Sequence, residues 1–354
     1  MLAFGLLLSV VRPPVAGAHV TGQCSNCHTM HNSQNGTAVN SSLHAALTTN
    51  DCVGCHSSDT DDTIIEKNGS RIPIVYNTNG YPAKPLAGGN FYQVAQGGAE
   101  NDIYGHNVLG ISEHDSILNR APGSDSPNCN SCHLSLADPL TDQNVPQWAR
   151  GKGGCQGCHQ RVRHHGTPPA AGQPETAASG WYRFLGGHSK TAYSSTDRYV
   201  EGIEDPNWEQ NPDATNHNVY SGTSASYASE SGLGTQHTIT SFCAGCHRDF
   251  HSQTTDEFGS PWLRHPADFA LPTTGEYADY NPVDAYNPNV PVAWKNPSTP
   301  IRSEAVVMCL SCHRAHGSQY PDMLRWDYST MIAHDAGAAA GTGCFVCHTT
   351  KDDV

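Results

Sequence analysis

Apolar residues in this chain come in short clusters, separated by spacers dense in Pro, Gly, Asn, Asp and Ser. Spacers of that composition read as loops. The one sustained apolar run is Leu2–Val11, ten residues, too short to span a bilayer as a helix. Helical turns are predicted around seven small cysteine clusters and around Pro321–His334. Ile72–Tyr76 reads as a short strand, and the proline-rich stretch Pro266–Pro300 as extended chain. The predicted fold class is mostly coil with short helices and little β-structure.

Composition sharpens the question of what holds such a chain together. Only 37% of its 354 residues are hydrophobic, while 34 Gly and 23 Pro stay below the share that marks disorder. A loop-rich chain that folds needs apolar surface from elsewhere, and the cysteines say where.

The pattern C-x-x-C-H occurs seven times and uses all 14 cysteines. The pairs are Cys24 and Cys27, Cys52 and Cys55, Cys129 and Cys132, Cys155 and Cys158, Cys243 and Cys246, Cys309 and Cys312, and Cys344 and Cys347. The histidines that follow are His28, His56, His133, His159, His247, His313 and His348. This is the attachment signature of c-type haem. Two thiols join the vinyl groups as thioethers, and the next His lies under the iron as its proximal ligand. Zinc sites and redox dithiols also use C-x-x-C, but neither calls for His after every second Cys. The expected cofactor is therefore haem c, seven per chain. Flat porphyrin faces supply the missing apolar surface.

The first cysteines are 28, 77, 26, 88, 66 and 35 residues apart. Motifs one and two (24–56), three and four (129–159) and six and seven (309–348) form pairs, and motif five (243–247) stands alone. Short linkers keep paired haems side by side. The expected organisation is a removable signal segment, 1–18, followed by an elongated heptahaem domain, 19–354. Ala16-Gly17-Ala18 fits a cleavage site, although no Lys or Arg precedes the apolar run.

Of 21 histidines, 14 lie outside the motifs, against few Met. Bis-His ligation follows, with lower potentials than His/Met. The favoured distal ligands are His31, His106, His165, His217, His251, His265 and His316. His334 and His188 come next, while His44, His237, His114 and His19 rank lower. His164 competes with His165, one of the pair being expected to ligate. His31 and His316 each stand three residues beyond a proximal His, so neither can cap that same iron. Gly105-His106-Asn107-Val108 and Asn216-His217-Asn218-Val219 form an internal repeat, placed similarly before the next motif.

The net charge of −14 argues against nucleic acid and anionic membranes. It suits basic redox partners or cationic minerals.

The phrases CSNCHTMHNSQNG, WYRFLGG, EGIEDPNWEQNP, FCAGCHRDFH, CHRAHGSQYPDMLRW and CFVCHTTKDD resemble the Geobacter-type extracellular multihaem cytochromes with doubled CXXCH motifs, including filament-forming members of the OmcS type. The resemblance implies a chain of bis-His haems that conducts electrons outside the cell. It also implies that the second His of CHTMH, here His31, ligates a haem of the next subunit. The expected partners are copies of the chain itself, other redox proteins and extracellular acceptors such as metal oxides. Two alternatives stay open: a periplasmic shuttle or porin–cytochrome component, and a multihaem reductase. The reductase needs an open iron, whereas every motif here ends in His and surplus His abounds, so no enzyme activity is expected. Mass spectrometry should show seven haem additions and no free thiol. Fewer additions, or zinc in their place, would refute the haem reading.

Overall fold

The computed structural model describes residues 20–41, 43–123, 135–139, 153–170, 172–187, 197–224, 233–247, 250 and 265–351. The signal segment and His19 lie outside them. So do Cys129, Cys132 and His133, which make up the third motif, and the candidate ligands His188 and His251.

Each described motif folds as one tight turn. Cys24–Asn26 and Gly343–Val346 are 3₁₀; Cys52–His56, Cys155–Cys158 and Cys309–Cys312 are α-helical; Ile239–Cys243 leads a helix into the fifth motif. Spacing of three places both sulfurs on one side of a turn. In five motifs the histidine N–H closes onto the carbonyl of the first cysteine, from 2.8 Å at His159 to 3.1 Å at His313. Caps hold these turns where helix length cannot. Asp51 accepts from Gly54 N–H at 2.7 Å, and Thr238 from Ser241 N–H at 3.0 Å.

Strands are short. Ile64–Lys67 and Ser70–Pro73 pair as a hairpin, and Tyr76–Asn77 pairs with Ser57–Ser58. The strand expected over Ile72–Tyr76 is thus split, because Ile74 and Val75 leave one pairing before the next begins. A five-stranded sheet runs in the order Gly202–Ile203, Val219–Ser221, Ala293–Trp294, Ala305–Val307, Phe269–Ala270. Only the second and third of these strands are parallel.

That sheet organises the core. Its side chains alternate. Tyr220, Ala293 and Val306 join Tyr182, Leu185, Val200, Leu233, Ile239 and Met308 on one face, with Cys158, Cys243 and Leu310 packed against them. Trp294 and Ala305 join Leu271, Tyr280, Tyr286, Val290, Val292 and Val346 on the other, with Cys347 at the edge. Motifs four, five and six therefore meet one apolar layer, and motif seven the other. The proline-rich stretch departs from the extended chain expected of it. It contributes two strands and the 3₁₀ turn Gly275–Tyr277, and it buries Tyr280, Tyr286 and Val292. Prolines here prevent long elements, not burial.

A knot of loops ties the early chain to the sixth motif. Asn90 N–H donates to Gly317 O at 2.9 Å, His316 N–H to Gly88 O at 2.9 Å and Ser318 N–H to Tyr104 O at 2.9 Å. The approach is so close that a Cβ on Gly89, whose φ is +108°, would collide with Gly317 O. No helix among the described residues is long and apolar enough to cross a membrane. Gly89→Ala should lower stability by about 1–3 kcal/mol through strain and lost loop contact. Chemical denaturation of the holoprotein checks this, and an unchanged midpoint would contradict the knot.

Candidate haem sites

The thiols and histidines of the motifs are arranged for a flat cofactor. All 12 described cysteines are free; Cys129 and Cys132, expected to carry the third haem, are not among the described residues. Among the described residues no three His, Cys, Asp or Glu side chains converge on a metal position, so the cysteine pairs lack a zinc donor set.

Five motif histidines instead face a second imidazole. His28 faces His165 with ring centres 6.0 Å apart, and His56 faces His164 at 6.1 Å. His159 faces His316 at 6.2 Å, His247 faces His106 at 6.1 Å and His348 faces His265 at 6.3 Å. Two metal–imidazole bonds of about 2 Å each plus two ring radii of about 1 Å span about 6 Å. The pairs have the separation that one iron between two imidazoles requires. Around the last pair, the cleft is lined by Pro266, Leu271, Val290, Val292 and Trp326 beside Cys344 and Cys347. Haem c fits these donors and this apolar lining.

Eight of the motif and opposing rings are held through Nδ1. Nδ1 lies 3.0 Å from Ala46 O in His28, 2.8 Å from Pro73 O in His56 and 2.7 Å from Arg183 O in His159. The same bond joins His247 to Pro122 O at 3.0 Å and His313 to Asp322 O at 2.8 Å. Opposing rings do likewise: His106 to Ala315 O at 2.7 Å, His316 to Ala87 O at 2.7 Å and His265 to Pro266 O at 3.1 Å. A carbonyl accepts only, so Nδ1 carries the proton and Nε2 keeps its lone pair for the metal. Burial reinforces neutrality, pushing His316 down to about 3 and His247 down to about 4.

The carbonyls come from an unusual backbone. Ala46, Arg183 and Asp322 have φ of 56°, 50° and 58°, and each is followed by a second non-glycine residue at positive φ: Leu47, Phe184 and Met323. Left-handed non-glycine residues cost roughly 1–2 kcal/mol each. Three such doublets, each presenting its carbonyl to a motif histidine, place that strain at the cofactor sites.

Thiols of adjacent motifs lie near one another, in hydrogen-bond contact at two of the junctions. Cys55 neighbours Cys27, Cys52 is hydrogen-bonded to Cys155, Cys158 neighbours Cys246, Cys243 is hydrogen-bonded to Cys309, and Cys312 neighbours Cys344. The described motifs thus follow one another as one, two, four, five, six, seven. In motifs two, four, five and six each cysteine of a pair faces a different neighbouring motif.

The structure rearranges several sequence expectations. The sequence predicts that one of His164 and His165 serves; both stand opposite a motif histidine, because adjacent residues after a turn reach two neighbouring sites. His164, outside the favoured set, stands opposite His56, and only the doubled His signals it in the sequence. His106 meets motif five and His316 meets motif four, so neither serves the motif nearest in sequence. His217 diverges from its repeat partner: its ring stacks on Tyr286 at 3.6 Å, with Nδ1 2.7 Å from Asn218 O. His237 stacks on Tyr199 at 4.1 Å. His31, His114 and His334 are exposed and His44 is half-buried. Among the described residues His313 has no imidazole opposite it in the manner of the other five.

Comparison with known proteins agrees with this geometry. Residues 299–353 match the doubled CXXCH motif family model. The chain is homologous to the C-type cytochrome OmcS of Geobacter sulfurreducens, with 26% identity over 397 residues, 95% of this chain and 86% of the relative. It shares its fold with the OmcS nanowires of G. sulfurreducens solved by cryo-EM, at a TM-score of 0.50 and 20% identity over 90% of this chain and 86% of that one. A second structure, the Outer Membrane Cytochrome S filament of the same species, aligns with a TM-score of 0.49 and 20% identity over 95% and 93% of the two chains. The doubled CXXCH motif and the likeness to a c-type cytochrome both support haem c as the cofactor. His164→Ala and His165→Ala should each convert one low-spin iron to high-spin, at different sites. Magnetic circular dichroism reads this, and a variant with no high-spin signal would exclude that residue as a ligand.

Proposed function

We propose that the chain is an extracellular electron conduit with seven bis-His haems, and that copies join head to tail as a filament. The observation that carries this reading is the set of five imidazole pairs, strung along motifs whose thiols lie near one another. Six haems belong to the described motifs. The third is assigned to Cys129, Cys132 and His133 on the C-x-x-C-H pattern alone. When bound, haem c supplies one-electron exchange at iron. The protein's part is to hold the rings, keep them neutral, and line the sites with apolar side chains that exclude water. At the five paired sites an imidazole on each face would leave no open iron position, which favours conduction over reductase chemistry. Carbon monoxide should leave the spectrum of the reduced protein unchanged, and a stable adduct would favour the reductase.

The proposed distal set is His165, His164, His316, His106 and His265, with His31 acting across a subunit boundary. His31 is exposed at φ 53°, and its ring has no partner among the described residues. In the matching template of the last motif pair, His316 reaches out of its own pair to His159. By the same logic His31 reaches outward, and His313 is the described motif histidine that still needs a second imidazole. Met30, next to His31 in the chain, is 73% exposed and adds apolar surface there. A contact of unlike surfaces does not close and therefore propagates as a helix of subunits. The relative that shares this fold was solved as a nanowire, in agreement. An apolar N-terminal run and haem attachment together support export to the outer surface, where other redox proteins and metal oxides would be partners. His31→Ala should abolish filaments in electron micrographs and leave one iron high-spin. Normal assembly with every iron low-spin would overturn the cross-subunit ligand and favour a monomeric shuttle.

A further inference from the structure

The seventh motif differs from the rest in what holds its histidine. Five motif histidines give Nδ1–H to a backbone carbonyl. His348 places Nδ1 3.4 Å from Oε1 of Glu276. This carboxylate is built into position. The Glu276 carbonyl accepts Thr349 N–H at 2.8 Å and Thr349 Oγ1–H at 2.6 Å, which clamps the Gly275–Tyr277 turn to the residue after His348. The second carboxylate oxygen lies 3.5 Å from Lys351 Nζ. The Tyr277 ring, 5.1 Å from that of His348, covers one side of the pair. Glu276 and His348 side chains are each only 24% exposed.

We propose that Glu276 tunes the seventh haem site, its carboxylate facing Nδ1 of His348 at ion-pair distance where five other motif histidines have only a neutral carbonyl, and so making that imidazole a stronger electron donor. The inference rests on haem attachment at Cys344–His348. A hydrogen bond to an ionised acceptor is roughly twice as strong as one to a neutral carbonyl. Polarising Nδ1–H raises the basicity of Nε2, a known lever on bound metals. A more basic ligand favours ferric over ferrous iron, so this haem has a lower potential than it would with a carbonyl partner. Lys351 draws charge from the other oxygen and moderates the effect. The seventh motif is also the end of the series of neighbouring motifs, so the tuning falls on a terminal site, where electrons enter or leave the described row.

The test uses the holoprotein and two near-isosteric changes, Glu276→Gln and Lys351→Gln. The His265 and His348 rings are 78° apart, the nearest to perpendicular of the five described pairs, the others being 22°, 28°, 49° and 54° apart. Perpendicular imidazoles give a highly anisotropic low-spin EPR signal, which picks out this haem during a potentiometric titration. Glu276→Gln should favour reduction of that haem about tenfold, about 59 mV for a one-electron couple, and change its g values alone. Lys351→Gln should shift the same signal the opposite way. If neither potential nor g values move, the inference is wrong. A shift in potential with unchanged g values also overturns it, since a bare charge effect would not act through His348. Mass analysis of the Cys344–His348 peptide separates the two readings. A peptide without haem overturns the functional reading itself, whereas haem present with unmoved signals overturns only the role of Glu276.

Discussion

A histidine that is to bind a metal through Nε2 must have its Nδ1–H placed and its ring held. In this protein that requirement is met almost entirely by backbone carbonyls, and much of the chain's course follows from it. Pro73, Arg183 and Asp322 lie 9 to 24 residues beyond their histidines and Pro122 lies 125 away, yet each ends with its carbonyl at a motif imidazole. The loops cannot be shortened or regularised without losing those acceptors. Ordinary helices and strands consume their own carbonyls, so a protein with many such sites is poor in both.

The strained doublets follow from the same need. At Ala46-Leu47, Arg183-Phe184 and Asp322-Met323 the chain turns left-handed to aim a carbonyl that a right-handed turn would direct elsewhere. Glycine would adopt these angles at less cost. Side chains are kept because they do other work. Arg183 ion-pairs with Glu204 at 3.3 Å and hydrogen-bonds Asn218 at 2.8 Å.

Packing completes the arrangement. The small sheet separates two apolar layers, one receiving the sulfurs of motifs four and five and the other that of motif seven. A third cluster, Phe91, Val94 and Val108, packs against Cys155 and carries the loops that bear His106. Bound porphyrins would extend these clusters, adding apolar surface to a chain with 37% hydrophobic residues.

The attachment chemistry was legible from the sequence because it is local. Two sulfurs and an imidazole must reach one porphyrin, and a five-residue turn supplies all three. The scarcity of regular structure was equally local, written in Pro, Gly and Asn. Pairing of the second imidazoles was not, because it joins residues such as His28 and His165, or His316 and His159, across more than a hundred positions. The repeated His-Asn-Val phrases show the limit: identical neighbours send His106 to a motif histidine and His217 to Tyr286. Short-range pattern names the donors. Which donor meets which site depends on where loops cross, and only the tertiary packing of Gly89, Gly105 and Gly317, with the sheet behind them, decides that.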